Sequence, residues 1–198
     1  MKYLTADLHL YDEEILKYRN LGIFGNTIED YHRLVIANLK QLTPDDDLYI
    51  LGDITMTEGK EWEAVDLIKT YCDAHIFFVP GNHDNEKVIE YMLKSGGMCE
   101  VTMNGSFDLD LDCGRFICTH IPVHPDELQW YDANIHGHIH HPMYPLYIPF
   151  NSPNPVRVQN GRTTQPYINV NLEFNNFRFW SEYDIKLMCE TRKAKGQL

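Results

Sequence analysis

Short apolar runs alternate with stretches of helical spacing through the first half of the chain. Lys2-Tyr3-Leu4-Thr5-Ala6, Leu48-Tyr49-Ile50-Leu51 and Ile76-Phe77-Phe78-Val79-Pro80 are too short for helices and are bounded by turn residues, so they predict buried strands. Between them, Thr27, Glu29 and Asp30 open a predicted helix whose Tyr31, Leu34, Val35, Leu39 and Leu42 share one face. His32 falls outside that stripe and reads as a solvated helix residue. A second helix near residues 59–72 turns Trp62, Val65, Ile68 and Cys72 inward. A third carries Val88, Ile89, Met92 and Leu93 inward and stops at Ser95-Gly96-Gly97.

The rhythm then changes. Residues 98–103, 107–111 and 115–119 read as strands joined by Asn104-Gly105 and Cys113-Gly114, which predicts an antiparallel meander. A short helical piece at residues 126–131 precedes Ala133-Asn134-Ile135. Residues 142–166 hold six of the ten prolines and read as a long loop or insertion. Residues 167–172 and 177–180 return to strand, Ser181-Glu182 opens a final short helix, and the polar residues 191–198 read as a frayed tail. Nothing splits the chain, so residues 1–198 are expected to form one α/β domain.

Polar side chains stand directly behind the predicted strands: Asp7 and His9, Asp53, Asn82-His83-Asp84, His120, and His138 with His140. In extended backbone, positions two apart face the same way, so Asp7 and His9 are expected to point together. Gly81 allows a backbone turn that other residues resist. Each motif taken singly reads equally well as an ordinary turn. Together they change the picture, because residues just past the strand ends of an α/β sheet gather at one edge, where ligands bind. Two Asp, one Asn and four His exceed what a single tetrahedral zinc site needs. They suit two neighbouring cations bridged by a carboxylate such as Asp53. The donors are oxygen and nitrogen without thiolate, which leaves Mn, Fe, Zn, Co or Ni open.

Composition narrows the partners. A formal charge of -12 argues against a sequence-blind nucleic-acid binder or an anionic-membrane binder, although bound cations can reverse the sign locally for an anionic substrate. Five scattered cysteines without a C-x-x-C pair read as reduced thiols of a cytoplasmic protein. No apolar run approaches membrane-span length, and no signal segment is expected ahead of Lys2.

In order and spacing, Asp7-Leu8-His9, Gly52-Asp53, Gly81-Asn82-His83-Asp84, His120 and Gly137-His138-Ile139-His140 resemble the signature of the calcineurin-like metallophosphoesterase superfamily. The stretch Asn169-Val170-Asn171-Leu172-Glu173 resembles a small phage and bacterial branch of it. The resemblance implies a four-layer α/β/β/α sandwich and two divalent transition-metal ions, manganese foremost. Asp7, His9, Asp53 and His140 would hold the first; Asp53, Asn82, His120 and His138 would hold the second. The cations would neutralise phosphoryl oxygens and make a bridging hydroxide available for in-line attack. His83 would be the general acid, oriented by Asp84.

The chain departs from the superfamily pattern where protein phosphatases carry phosphate-binding arginines: Met56 and Thr57 follow Gly52-Asp53, and Asn85-Glu86-Lys87 follows Asp84. A small or nucleotide phosphodiester is therefore the expected substrate. The alternatives are a phosphomonoester, a short oligonucleotide, and a non-catalytic scaffold on the same fold. His124, on the loop after His120, is a candidate substrate contact, as is His136. His141 reads as exposed or behind the ligands, and His75 as structural. Arg19, Arg157 and Arg162 read as surface residues, and Trp62, Trp130 and Trp180 as packing aromatics.

Overall fold

The computed structural model describes every residue except Tyr18, Asn20, 95–98, 141–156, Asn160, Gly161, Gln165 and Gln197, with backbone alone for 157–159 and 162–164. Four parallel strands, β1 (Lys2–Thr5), β2 (Asp47–Leu51), β3 (His75–Val79) and β4 (Cys99–Val101), lie in that spatial order. A second sheet is built from β5 (Ser106–Leu111), β6 (Gly114–Thr119), β7 (Ala133–His136) and, beyond a separate hairpin of β8 (Arg157–Gln159) and β9 (Arg162–Thr164), β10 (Tyr167–Asn169). Its order is β10-β7-β6-β5. The short β11 (Trp180–Ser181) returns antiparallel to β1 and closes the edge of the first sheet.

Alternation along the strands explains how the layers stack. Leu48, Ile50, Ile76 and Phe78 face a core shared with helices α1 (Ile28–Leu39), α2 (Glu61–Tyr71) and α3 (Glu86–Leu93). Their neighbours Tyr49, Leu51, Phe77 and Val79 face the other way, against Phe116, Cys118, Ile135 and Ile168 of the second sheet. A strand covered on both faces must be apolar throughout, which is why these runs are continuous. Helix α4 (Glu182–Ala194) adds Ile185 and Cys189 to the inter-sheet core. The architecture is thus two mixed sheets flanked by helices, as the α/β/β/α expectation requires. No described helix is long and apolar enough to cross a membrane.

Helix α1 begins where the sequence placed it: Thr27 accepts the Asp30 N–H while the Asp30 carboxylate accepts the Thr27 N–H. Such a cap contributes about 1 kcal/mol.

Several local expectations need correction. The predicted three-strand meander is a two-strand hairpin, because β4 pairs in parallel with β3 and leaves only β5 and β6 antiparallel. Residues 177–179 are not strand; the 3-10 helix Leu172–Asn175 ends in left-handed Asn176 and Phe177. The supposed frayed tail is helical to Ala194, and its Arg192 is buried with Nη1 donating to the Tyr167 carbonyl at 2.7 Å. Trp62 and Leu93 point outward, and Trp130 is 74% exposed, whereas Trp180 is buried. His32 is half-buried and accepts the Tyr11 N–H at 2.9 Å, and burial lowers its pKa. His141, the Ser95-Gly96-Gly97 stop and most of residues 142–166 lie outside the described residues.

Candidate metal centre

All five expected strand exits meet at one edge. The loop after β1 runs beside the loop after β2, with Asp7 N–H donating to the Gly52 carbonyl at 2.9 Å and His9 N–H to the Asp53 carbonyl at 3.0 Å. These loops are not extended. Asp7, His9, Asp53 and His138 have φ of 53°, 44°, 54° and 67°, a left-handed conformation uncommon for residues with side chains. Strained backbone of this kind persists where the surroundings over-determine it and clusters at functional sites.

Glycines make the convergence possible by being small. A methyl at Gly52 would lie 2.6 Å from His120 Nδ1, one at Gly81 would overlap the Asp53 carboxylate, and one at Gly137 would overlap Asp7. Gly81 is not among the residues with positive φ, so the turn argument made for it gives way to close approach.

The described residues form two clusters, Asp7, His9 and His140, and Asp53, His120 and His138, and within each the ligand atoms all lie within 4.8 Å of one another. Asn82 joins the second, its Oδ1 lying 2.8 Å from His120 Nε2. Asp53 stands between them, with Oδ2 3.3 Å from His120 Nε2 and 3.9 Å from His9 Nε2. His120 Nδ1 donates to the Leu51 carbonyl at 2.8 Å, which turns Nε2 into the site. The His138 N–H donates to Asp7 Oδ2 at 2.6 Å and ties the β7 exit to the β1 exit.

The electrostatics are those of a site built around positive charge. Burial would raise the Asp7 carboxyl, but the rings of His140 and His9, with Nε2 at 3.2 Å and 3.7 Å from Oδ1, outweigh it and hold Asp7 well below the usual range. Burial would likewise raise Asp53, but the His120 contact outweighs it and lowers the Asp53 pKa. Burial would lower His120 and His140; Asp53 and Asp7 raise the first to about 9, and Asp7 and Glu173 raise the second to about 9. His138, facing the His120 charge, is lowered by burial and that repulsion.

Asp7 Oδ1 and both ring nitrogens of His9 are buried without a hydrogen-bond partner in the protein. Buried polar atoms are nearly always satisfied, and a divalent cation would satisfy Asp7 Oδ1 and one of the two His9 nitrogens. The donor set of carboxylate, amide oxygen and imidazole fits two transition-metal ions.

Asp84 departs from its expected role. Its carboxylate accepts N–H groups from Asp53 at 2.8 Å, Ile54 at 2.9 Å and Gly81 at 2.8 Å, so it clamps the β2 and β3 exits together instead of orienting the His83 ring. Burial raises its pKa to about 6. His83 donates its backbone N–H to Asp53 Oδ1 at 2.8 Å, and its exposed ring lies 6.0 Å, centre to centre, from that of His9. His124 lies outside both clusters, at the N-cap of the 3-10 helix Pro125–Trp130. His136 is fully buried, with Nδ1 2.8 Å from the Gly137 carbonyl, so it is removed from any substrate.

Sequence reasoning missed a group behind His140. His140 Nδ1 donates to Glu173 Oε1 at 2.9 Å, and Glu173 Oε2 pairs with Arg19 Nε at 3.0 Å. Arg19, taken for a surface residue, is 2% exposed. Asp12 is a further buried acid, with Oδ2 3.5 Å from His9 Nδ1. Only Glu173 left a signal, as the last residue of the Asn169–Glu173 stretch.

No family model matches the chain. No curated protein matches it either. Among solved structures it is similar to a protein of unknown function, AQ665 from Aquifex aeolicus, with 21% identity and a TM-score of 0.63 over 95% of this chain and 98% of that one. The likeness is one of fold, an α/β arrangement of two mixed sheets flanked by helices that is consistent with the calcineurin-like metallophosphoesterase sandwich. Weaker likenesses in overall shape extend to a novel archaeal phosphodiesterase (16% identity, TM-score 0.46, covering 86% and 82%) and to Vps29 of Chaetomium thermophilum (9%, 0.41, covering 86% and 70%).

Proposed function

We propose that the protein is a dinuclear-metal-dependent phosphoesterase that hydrolyses a small or nucleotide phosphodiester. The observation that carries this reading is the place of Asp53, whose Oδ2 reaches toward a histidine of each cluster, His120 at 3.3 Å and His9 at 3.9 Å. Two divalent cations held there would supply positive charge to phosphoryl oxygens and acidify bound water.

The chain's own residues do the remaining work. Asp7, His9 and His140 would hold one cation, Asn82, His120 and His138 would hold the other, and Asp53 would serve both. His83 sits at the rim, fixed through its backbone to Asp53, and its ring donates a proton to the leaving oxygen. Asp84 supports that loop by fixing Gly81. An open cleft of about 450 Å³ beside Asn82 and His120, walled by Asn104, Ser106, Ile117 and Ile121, takes the organic part of the ester. Val123 lines the same cleft, and His124 next to it is the substrate contact proposed there.

The diester preference draws support from Arg19. This arginine is bound up with Glu173, Tyr31 and Asp7, and offers nothing to the extra charge of a monoester. The test is hydrolysis of matched mono- and diesters with manganese supplied. A higher kcat/KM for the diester is expected. A clear monoester preference overturns the substrate class, and no turnover of either ester by protein carrying both cations overturns the enzyme.

A further inference from the structure

Arg19 has three ties, and each leads to the same cluster. Nε pairs with Glu173 Oε2 at 3.0 Å, one terminal nitrogen donates to the carbonyl of Asp7, and the other donates to the Tyr31 hydroxyl. That hydroxyl in turn donates to the Leu8 carbonyl at 2.6 Å. The Arg19 side chain is fully buried and that of Glu173 is 11% exposed. A buried guanidinium is costly unless charge and hydrogen bonds compensate it, so a pair placed here has to be explained by what it holds.

What it holds is two ligands of one candidate cation site. Glu173 fixes the ring of His140 through Nδ1, which points Nε2 to within 3.2 Å of Asp7 Oδ1. The Asp7 carbonyl, bound directly by Arg19, belongs to a residue with left-handed backbone that needs holding. Asn169 and Asn171 dock the same C-terminal stretch onto the Ile139 carbonyl, at 2.8 Å and 3.4 Å. The β1 exit, the β7 exit and the segment after β10 therefore meet on one planar cation, for which lysine's single point of charge is no substitute.

We propose that Arg19 is a positioning residue for the metal centre, which through Glu173 and the Asp7 backbone sets the geometry of the Asp7–His9–His140 cation site and leaves the Asp53–His120–His138 site largely unaffected. The inference rests on the dinuclear reading above. Partners behind a metal-bound histidine typically change metal affinity by about 10–100-fold when lost.

The experiment is titration of the chelator-stripped full chain with manganese, comparing wild type, Arg19→Lys and Glu173→Gln, alongside the NMR signal of the His140 ring N–H. Glu173→Gln preserves shape and keeps the test open if Arg19→Lys does not fold. Expected are two cations on wild type, and in the variants one site weakened at least tenfold, one unchanged, and a shifted or lost His140 ring signal. Two cations bound by folded Glu173→Gln with wild-type affinities would overturn the positioning role alone. Wild type that takes up no manganese would overturn the metal-centre reading itself, and the positioning role with it.

Discussion

Gly81 and Asp53 lie so close that a methyl group on the glycine would overlap the carboxylate oxygen Oδ1 of the aspartate. The same oxygen accepts the His83 N–H at 2.8 Å, so no slack exists on that side. Gly81 is not in the left-handed region, but the methyl would also lie 2.6 Å from the Asp53 backbone nitrogen, so the β2 exit has to shift together with the carboxylate. Gly81→Ala is therefore expected to displace Asp53 and to lower the Tm. Manganese stoichiometry should fall below two per chain in protein that circular dichroism shows to be folded. An unchanged stoichiometry would show that Asp53 has room to move without loss.

Asp53→Asn tests the bridging position directly. One carboxylate lying between His120 and His9 serves both cations, so its neutralisation should weaken both sites, whereas loss of His138 should weaken one. Metal analysis of the purified variants decides this. Full two-metal occupancy in Asp53→Asn removes Asp53 from the bridge.

The paired histidines predict a pH dependence in the presence of chelator. His120 and His140 have folded pKa values raised from 6.5 to about 9 by their carboxylate partners. A raised histidine contributes stability that is fully present below its unfolded pKa and is lost as pH rises through the folded one. The Tm of chelated protein should thus fall between about pH 6.5 and pH 9, and His140→Asn should flatten part of that fall. Asp84, raised to about 6, and His138, lowered below 6.5, act at more acidic pH and leave this window alone. Added manganese should stabilise more at the alkaline end, because it replaces those protons. A chelated Tm that is level or rising across the window contradicts the proton-holding role of the pairs.

The candidate ligands are legible in the sequence, whereas the groups that hold them are not. Strand exits are legible because a buried parallel strand is a short apolar run, and a polar residue at its end is conspicuous, as with Asp53 behind Leu48–Leu51. Arg19 was not legible. It lies in an irregular polar stretch, and its burial arises from Glu173, more than 150 positions away in the chain. Asp84 was read through its neighbour His83, yet its oxygens went to backbone N–H groups, which carry no sequence signal. The outward turn of Trp62 reflects a helix whose inner face is filled by Ala64, Val65, Leu67 and Ile68, one step around from the stripe expected.

The last prediction separates proton donation from metal binding. The His83 ring is exposed, it follows the candidate ligand Asn82, and its own backbone is fixed to Asp53, so His83→Ala should leave both cations in place. What it should remove is the proton offered to the departing oxygen, a contribution of about 10²–10⁴-fold for general acids. The loss should fall mainly on kcat. It should shrink for esters of nitrophenol, whose leaving group needs little protonation, and stay large for esters of simple alcohols. His140→Ala, by contrast, should lose metal and activity together whatever the leaving group. If His83→Ala emptied a cation site, or slowed good and poor leaving groups equally, the ring would not be the acid. His124, on the loop that follows His120 and next in the chain to Val123 of the cleft, would then be the side chain to replace next.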